Sequence, residues 1–276
     1  MSDEALLRHY DGGQDLVARA MELLREAGKD LSRLTIDDLV GLDEFHVRGR
    51  EATLSLARRL ALAGGERVLD VGSGIGGPAR RLASLAMVDV VGVDLTPAYV
   101  DLANALSRLV GLAARARFEV ADALALPFPD ASFDVAWTQH VQMNIADKDR
   151  FFAELFRVLV PGGRLALYDI LQGPGGEVAY PMPWASHPSM SHLATPGAFR
   201  AAMERAGFAV ESWEDVTATS RDWAARRYGA PPPPNAATVA RLLGARNAAG
   251  AANIPRNLAE DRIAIVEAIA RRPSAA

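Results

Sequence analysis

The densest chemical signal in the chain is the stretch Val68-Leu-Asp-Val-Gly-Ser-Gly-Ile-Gly-Gly-Pro. Glycines at such a turn let a ligand approach the backbone closely, and a helix starting behind them offers unpaired N–H groups. Gly72, Gly74 and Gly77 also fit the dinucleotide fingerprint, with Asp94 at the distance of its ribose-binding acid. The loop alone therefore leaves a nicotinamide-dependent oxidoreductase open. Asp70 shifts the balance. It stands two residues before the first glycine, where a carboxylate attracts an ammonium and repels a pyrophosphate. Asp94 closes the next apolar run and can accept from both hydroxyls of a ribose. Asp122, in Ala121-Asp-Ala-Leu, follows the third run and can accept from an adenine amino group. Three acids at three successive strand ends fit a cationic, adenosine-bearing ligand at the carboxyl edge of a parallel sheet.

A second constellation lies in Trp137-Thr-Gln-His-Val-Gln-Met-Asn. If the preceding run is a strand, its end faces the same ligand, and His140 and Asn144 are the first residues to meet a second substrate. His140 is suited to take a proton near neutral pH, or to serve as a hydrogen-bonding pocket histidine without proton transfer. Gln139 is its neighbour, facing either the ligand or the opposite side of the strand.

These residues need a scaffold of alternating strands and helices. The apolar runs predict strands at 67–71, 88–93, 116–120, 133–138, 164–169 and 208–216. Helical spacing predicts helices at 77–86, 96–110, 148–159 and 196–206. Such alternation gives a parallel sheet with right-handed crossovers. The expected fold is α/β, a doubly wound, mostly parallel Rossmann-like sheet with N-terminal helices and a cap or lid. Residues 1–62 read as a helical N-terminal segment, 63–217 as the ligand-binding α/β domain and 218–276 as a helical cap. Within the domain, 173–195 is rich in Gly, Pro, Ser and aromatics and is too long for a plain connection, so it reads as a lid. Residues 262–270 fit either a helix or an edge strand. The spacing of Leu258, Ile265, Val266 and Ile269 favours the helix.

Composition narrows the chemistry further. The chain has no cysteine, so disulfides, thiolate metal sites, iron–sulfur clusters and a cysteine nucleophile are excluded. No acidic cluster surrounds the fourth strand, and no metal is expected. The net charge of −4 comes without a basic stripe, which argues against a nucleic-acid partner. No apolar run approaches the roughly 20 residues that span a bilayer. The first ten residues lack the apolar stretch of a signal peptide, so a cytoplasmic location without membrane insertion is expected. Oligomeric state is not readable.

Taken together, Leu69-Asp-Val-Gly-Ser-Gly, Gly92-Val-Asp-Leu-Thr, Asp122-Ala-Leu-Ala-Leu-Pro-Phe-Pro-Asp, Ser132-Phe-Asp-Val and Phe156-Arg-Val-Leu-Val-Pro-Gly-Gly resemble the class I S-adenosylmethionine-dependent methyltransferases in order and spacing. The resemblance implies S-adenosylmethionine as methyl donor and S-adenosylhomocysteine as its product. It places Asp70, Gly72 and Gly74 at the methionine moiety, Asp94 at the ribose, Asp122 at the adenine amino group, and Leu95 and Ala123 against the adenine ring. Gln139 joins this cofactor set. The branch it is most similar to acts on small molecules: sarcosine and dimethylglycine N-methyltransferases, and tocopherol and quinone C-methyltransferases. By that analogy Arg8-His-Tyr-Asp and Asp43-Glu-Phe-His-Val-Arg-Gly-Arg form a cover, with Tyr10, His46 and Arg50 lining the pocket. Trp184 and His187 on the lid read as acceptor contacts, together with Asn144. Tyr10, Tyr180 and Trp184 could form an aromatic wall for a cationic amine. A small amine is the favoured acceptor, and C- or O-methylation of a prenylated or phenolic ring is the alternative. One departure matters: the amine-methylating relatives often carry an acid where His140 stands and a histidine where Asn144 stands.

Overall fold

A computed structural model describes residues 15–274. The chain folds around a seven-stranded sheet in the order β3-β2-β1-β4-β5-β7-β6. The first five strands are β1 (Arg67–Val71), β2 (Asp89–Asp94), β3 (Ala116–Val120), β4 (Phe133–Gln139) and β5 (Leu159–Gln172). They run parallel, and β7 (Ile263–Arg271) lies antiparallel between β5 and β6 (Ala209–Asp215). The strand order reverses on either side of β1, between β2 and β4. A parallel sheet opens a crevice at the carboxyl ends of its strands at such a switch point.

Both faces of the sheet are covered. One face of β1 and β4, through Val68, Val135 and Trp137, packs with α3 (Arg50–Leu60), α4 (Gly77–Ala86) and part of α5 (Pro97–Leu109). The other face, through Leu69, Val71 and Ala136, packs on Phe151, Phe152 and Leu155 of α6 (Lys148–Val158) and on Phe199 of α7 (Pro196–Arg205). Alternation along each strand thus divides the core into two layers, as a sheet buried on both sides requires. A third cluster joins α1 (Leu16–Glu26) and α2 (Ile36–Asp43) to the outer side of α5. There Arg80 forms a buried ion pair with Asp43 at 2.9 Å and donates to the Ile75 carbonyl at 2.6 Å. This pair holds the end of α2 against the glycine turn.

The C-terminal region departs from expectation. After α8 (Thr217–Tyr228) come three short helices, α9 (Val239–Leu243), α10 (Ala245–Ala252) and α11 (Ile254–Ala259). The stretch at 262–270, which fits either a helix or an edge strand and whose spacing favours the helix, is β7, a strand paired along its whole length with β5 and on its other side with β6. Residues beyond 217 therefore complete the sheet as well as capping it. The physical reason is burial on both sides. Ile263-Ala-Ile-Val-Glu-Ala-Ile-Ala is buried at every position, and a short run apolar on both faces has no period that distinguishes helix from central strand.

Candidate active site

A cavity of 800 Å³ opens at the carboxyl ends of β1, β2 and β4, within the size range of small-molecule sites. The glycine turn forms its floor. Gly72 takes φ +73°, a left-handed conformation favouring glycine. Its N–H and that of Ser73 donate to the Val93 carbonyl at 2.8 and 2.9 Å, tying the end of β1 to the end of β2. Asp94 completes the turn, accepting from the Gly74 N–H on one oxygen and the Thr96 N–H on the other, each at 2.9 Å. Burial raises its carboxyl above the usual range, and those two N–H groups oppose the rise. Asp94 is thus a clamp on the loop as well as a cavity residue. Asp122 turns its own loop by accepting from the Leu124 N–H at 2.8 Å.

Two buried groups in this wall lack partners of complementary kind. Asp70 is 2% exposed, and its Oδ2 has no hydrogen-bond partner among the described residues. Burial, with Asp94 adding to it, pushes its carboxyl up to about 8. Gln139 accepts through Oε1 from the Trp137 indole N–H at 3.0 Å, with the Thr53 hydroxyl oxygen 3.4 Å away, and its Nε2 is buried without an acceptor among the described residues. An unpaired buried polar group is costly, and a ligand bearing an ammonium and a carboxylate relieves both. The amino-acid end of S-adenosylmethionine is such a ligand, so the residues present fit it. Gly72, Gly74, Leu95 and Ala123 line the same cavity.

The remaining wall is built differently. His140 directly follows β4 with φ +54°, and its N–H donates to the Tyr168 carbonyl at 2.9 Å. Its ring stacks on Tyr168 (centroids 5.3 Å apart, planes 7° apart) and meets His46 edge-on at 5.8 Å. Among the described residues, Nε2 is buried without a partner. Burial and then the neighbouring His46 hold the imidazole well below its ordinary 6.5, so the ring is neutral at physiological pH. His46 approaches the buried Glu44 carboxylate at 3.3 Å, which also accepts from the Thr53 hydroxyl at 2.8 Å. Asn144 lines the cavity while its amide donates to the Trp184 carbonyl at 3.1 Å. Trp184 also lines it, with its indole N–H held by Ser191 at 3.0 Å. Trp223, Arg227 and Tyr228 of α8 and Asn247, Ala248 and Ala251 of α10 close the far side.

The structure thus brings together every cofactor position expected from the sequence, along with His46, Arg50, His140, Asn144 and Trp184. It does not bring in His187, which is exposed and lies outside the cavity wall. The chain turns sharply at Met182–Ala185 and passes through a 3-10 turn at Pro188–Met190. His192, on the return path, lines the cavity instead. Tyr180 is also outside the wall, and Tyr10 lies outside the described residues. Arg48 and the α8 and α10 residues were not anticipated. Nothing in their local sequence marks them, because folding alone places them there.

Comparison with known proteins agrees with this geometry. A methyltransferase-domain family matches residues 69–167. The 27-O-demethylrifamycin SV methyltransferase of Amycolatopsis mediterranei (strain S699) is 37% identical over 188 residues, covering 64% of this chain and 69% of that enzyme. The methyltransferase GfsG of Streptomyces halstedii is 37% identical over 158 residues, so the match spans just over half of each protein (57%). Among solved structures, the [4+2]-cyclase SpnF superposes with a TM-score of 0.65 at 27% identity, covering 95% of this chain and 94% of that one. The chain belongs to the S-adenosylmethionine-dependent methyltransferases. Its cosubstrate is S-adenosylmethionine, and its acceptors are small molecules as a class.

Proposed function

We propose that the protein methylates a hydroxyl group of a bulky, largely apolar small molecule, with His140 accepting the hydroxyl proton. The carrying observation is the neutral His140 ring on the cavity wall, with a buried nitrogen that has no partner among the described residues. The donor supplies an electrophilic methyl group on a sulfonium. Displacement forms an O–CH₃ bond, breaks the C–S bond and leaves a neutral thioether, while the hydroxyl proton passes to the imidazole. Positioning near the attack distance provides most of the acceleration, and the base adds to it.

Acceptor chemistry is read from the walls. His46, His140, His192 and Arg48 gather around this part of the cavity, and the Glu44 carboxylate is already engaged by Thr53 and His46. A protonated small amine, the acceptor favoured by the sequence, would share this wall with the Arg48 cation, while the buried Glu44 carboxylate is already held by two partners. The helical cap adds Trp223 and Tyr228 beside the small Ala248 and Ala251, a surface suited to an extended apolar body. The rifamycin enzyme, whose name places its methyl on an oxygen, supports the same direction.

The test is a methyl-transfer screen that follows S-adenosylhomocysteine release with polyketide-type alcohols, phenols and small amines in parallel. The expected result is turnover with an alcohol or phenol that His140→Ala slows sharply. Turnover confined to amines, or a His140→Ala variant as fast as the parent, overturns the reading.

A further inference from the structure

The lid over the acceptor chamber is fastened at a point that neither the donor site nor His140 explains. Lid and catalytic loop meet where the His192 N–H donates to the Met143 carbonyl at 2.8 Å. Beside that contact stands Lys148, the first residue of α6. Its Nζ donates to the carbonyls of Gln142 at 2.6 Å, of His192 at 2.8 Å, and of Ile145. Gln142 and Ile145 belong to the loop that follows His140, and His192 belongs to the lid. From the opposite side Asp169 of β5, fully buried, accepts from the N–H groups of Val141 and Gln142 at 3.3 and 3.2 Å. The loop is gripped between an anion that takes its amides and a cation that takes its carbonyls. An ammonium has three N–H bonds, and here all three are used.

We propose that Lys148 is a positioning residue whose ammonium latches the lid to the 140–145 loop, so that closing the chamber and setting His140 are coupled. The proposal rests on reading 173–195 as the chamber's cover, not on which atom is methylated. Burial, opposed by Asp169, pushes the Lys148 amine down to about 8. A neutral amine keeps two N–H bonds and turns a lone pair toward the third carbonyl, so the latch weakens as pH rises through that value. The other ionisable groups around it are Asp169 from β5, His192 from the lid, Asp147 and Asp149 at the start of α6, and Arg205 from α7. Burial raises Asp169 to about 7. Its charging over the same range strengthens its hold on the loop amides and so acts in the opposite sense. His192 is lowered from 6.5 by burial and stays neutral there.

Hydrogen–deuterium exchange on the full chain with S-adenosylhomocysteine tests the latch without any acceptor. For Lys148→Met, exchange in the lid peptide 186–194 should quicken about 10- to 100-fold, the factor that losing a charge-assisted hydrogen bond gives. S-adenosylhomocysteine affinity should be unchanged. In the parent protein, lid exchange corrected for intrinsic rate should rise from about pH 6.5 to about 9.5, spanning the Lys148 titration, while peptides of the glycine turn hold steady. A Lys148→Met lid as protected as the parent's overturns the proposal. If that variant does not fold, Lys148→Gln takes its place with the same readout, and a lid as protected as the parent's overturns the proposal. Either failure leaves the His140 reading standing, because no turnover is measured.

Discussion

The two halves of the cavity are made by different means. The donor half is assembled from the ends of β1 and β2 and the turn between β1 and α4, where backbone hydrogen bonds tie the turn to β2 and hold Asp94 in place. The acceptor half takes side chains from the loop before α3, the end of β4, the lid, α8 and α10, segments far apart in sequence. The difference separates what is common to a chemistry from what selects a substrate. On the proposed reading, a backbone-braced edge would hold the shared methyl donor, and pieces that can vary independently would shape the space for the acceptor.

The comparison is open to direct attack. The largest expected effect is on His140, where replacement by alanine should lower turnover by about 10²- to 10⁴-fold, the usual worth of a positioned base. Calorimetry should find S-adenosylhomocysteine affinity unchanged, and equal loss of both would merge the two halves. Because burial lowers the His140 pKa, its basic form persists below pH 6.5, and the acid limb of turnover should lie beneath that value. Next in size is Arg80→Met, which strands Asp43 as a buried carboxylate beside the glycine turn. Chemical denaturation should show a loss of about 3–5 kcal/mol.

Smaller effects sharpen the donor side. Asp94→Ala should weaken S-adenosylhomocysteine binding by about 1–3 kcal/mol through lost hydrogen bonds, with the acceptor KM little altered. The subtlest expectation concerns Asp70. Its carboxyl, raised to about 8 by burial and Asp94, is protonated at neutral pH without ligand. An ammonium beside it favours the carboxylate, so binding should release a proton and affinity should climb as pH rises toward 8, then level. Calorimetry in buffers of different ionisation enthalpy measures that release, and Asp70→Asn should abolish it.

The same division explains what is legible in the sequence. The donor half is written in contiguous motifs, because strand, turn and acid follow one another within a few residues. Asp70, Gly72, Gly74 and Asp94 are placed by those motifs alone. In the acceptor half only His140, Asn144, His46 and Trp184 carry a local signal. His187 and His192 are five residues apart on one loop, and only the fold of that loop turns one outward and the other in. Lys148 and Asp169 look like ordinary helix and strand charges until the loop between them is in place. β7 escapes for another reason: a strand covered on both faces shows no alternation.

That strand also sets an order in time. β7 follows β5 and β6 in the chain yet separates them in the sheet. A ribosome therefore delivers both neighbours before the piece that joins them. A nascent chain that has reached Asp215 carries two strands whose facing edges have no mutual partner, and unpaired edges invite pairing with other chains. The sheet can close only after Arg271 has emerged. Folding is thus completed from the carboxyl side, long after the methyl-donor edge has been synthesised.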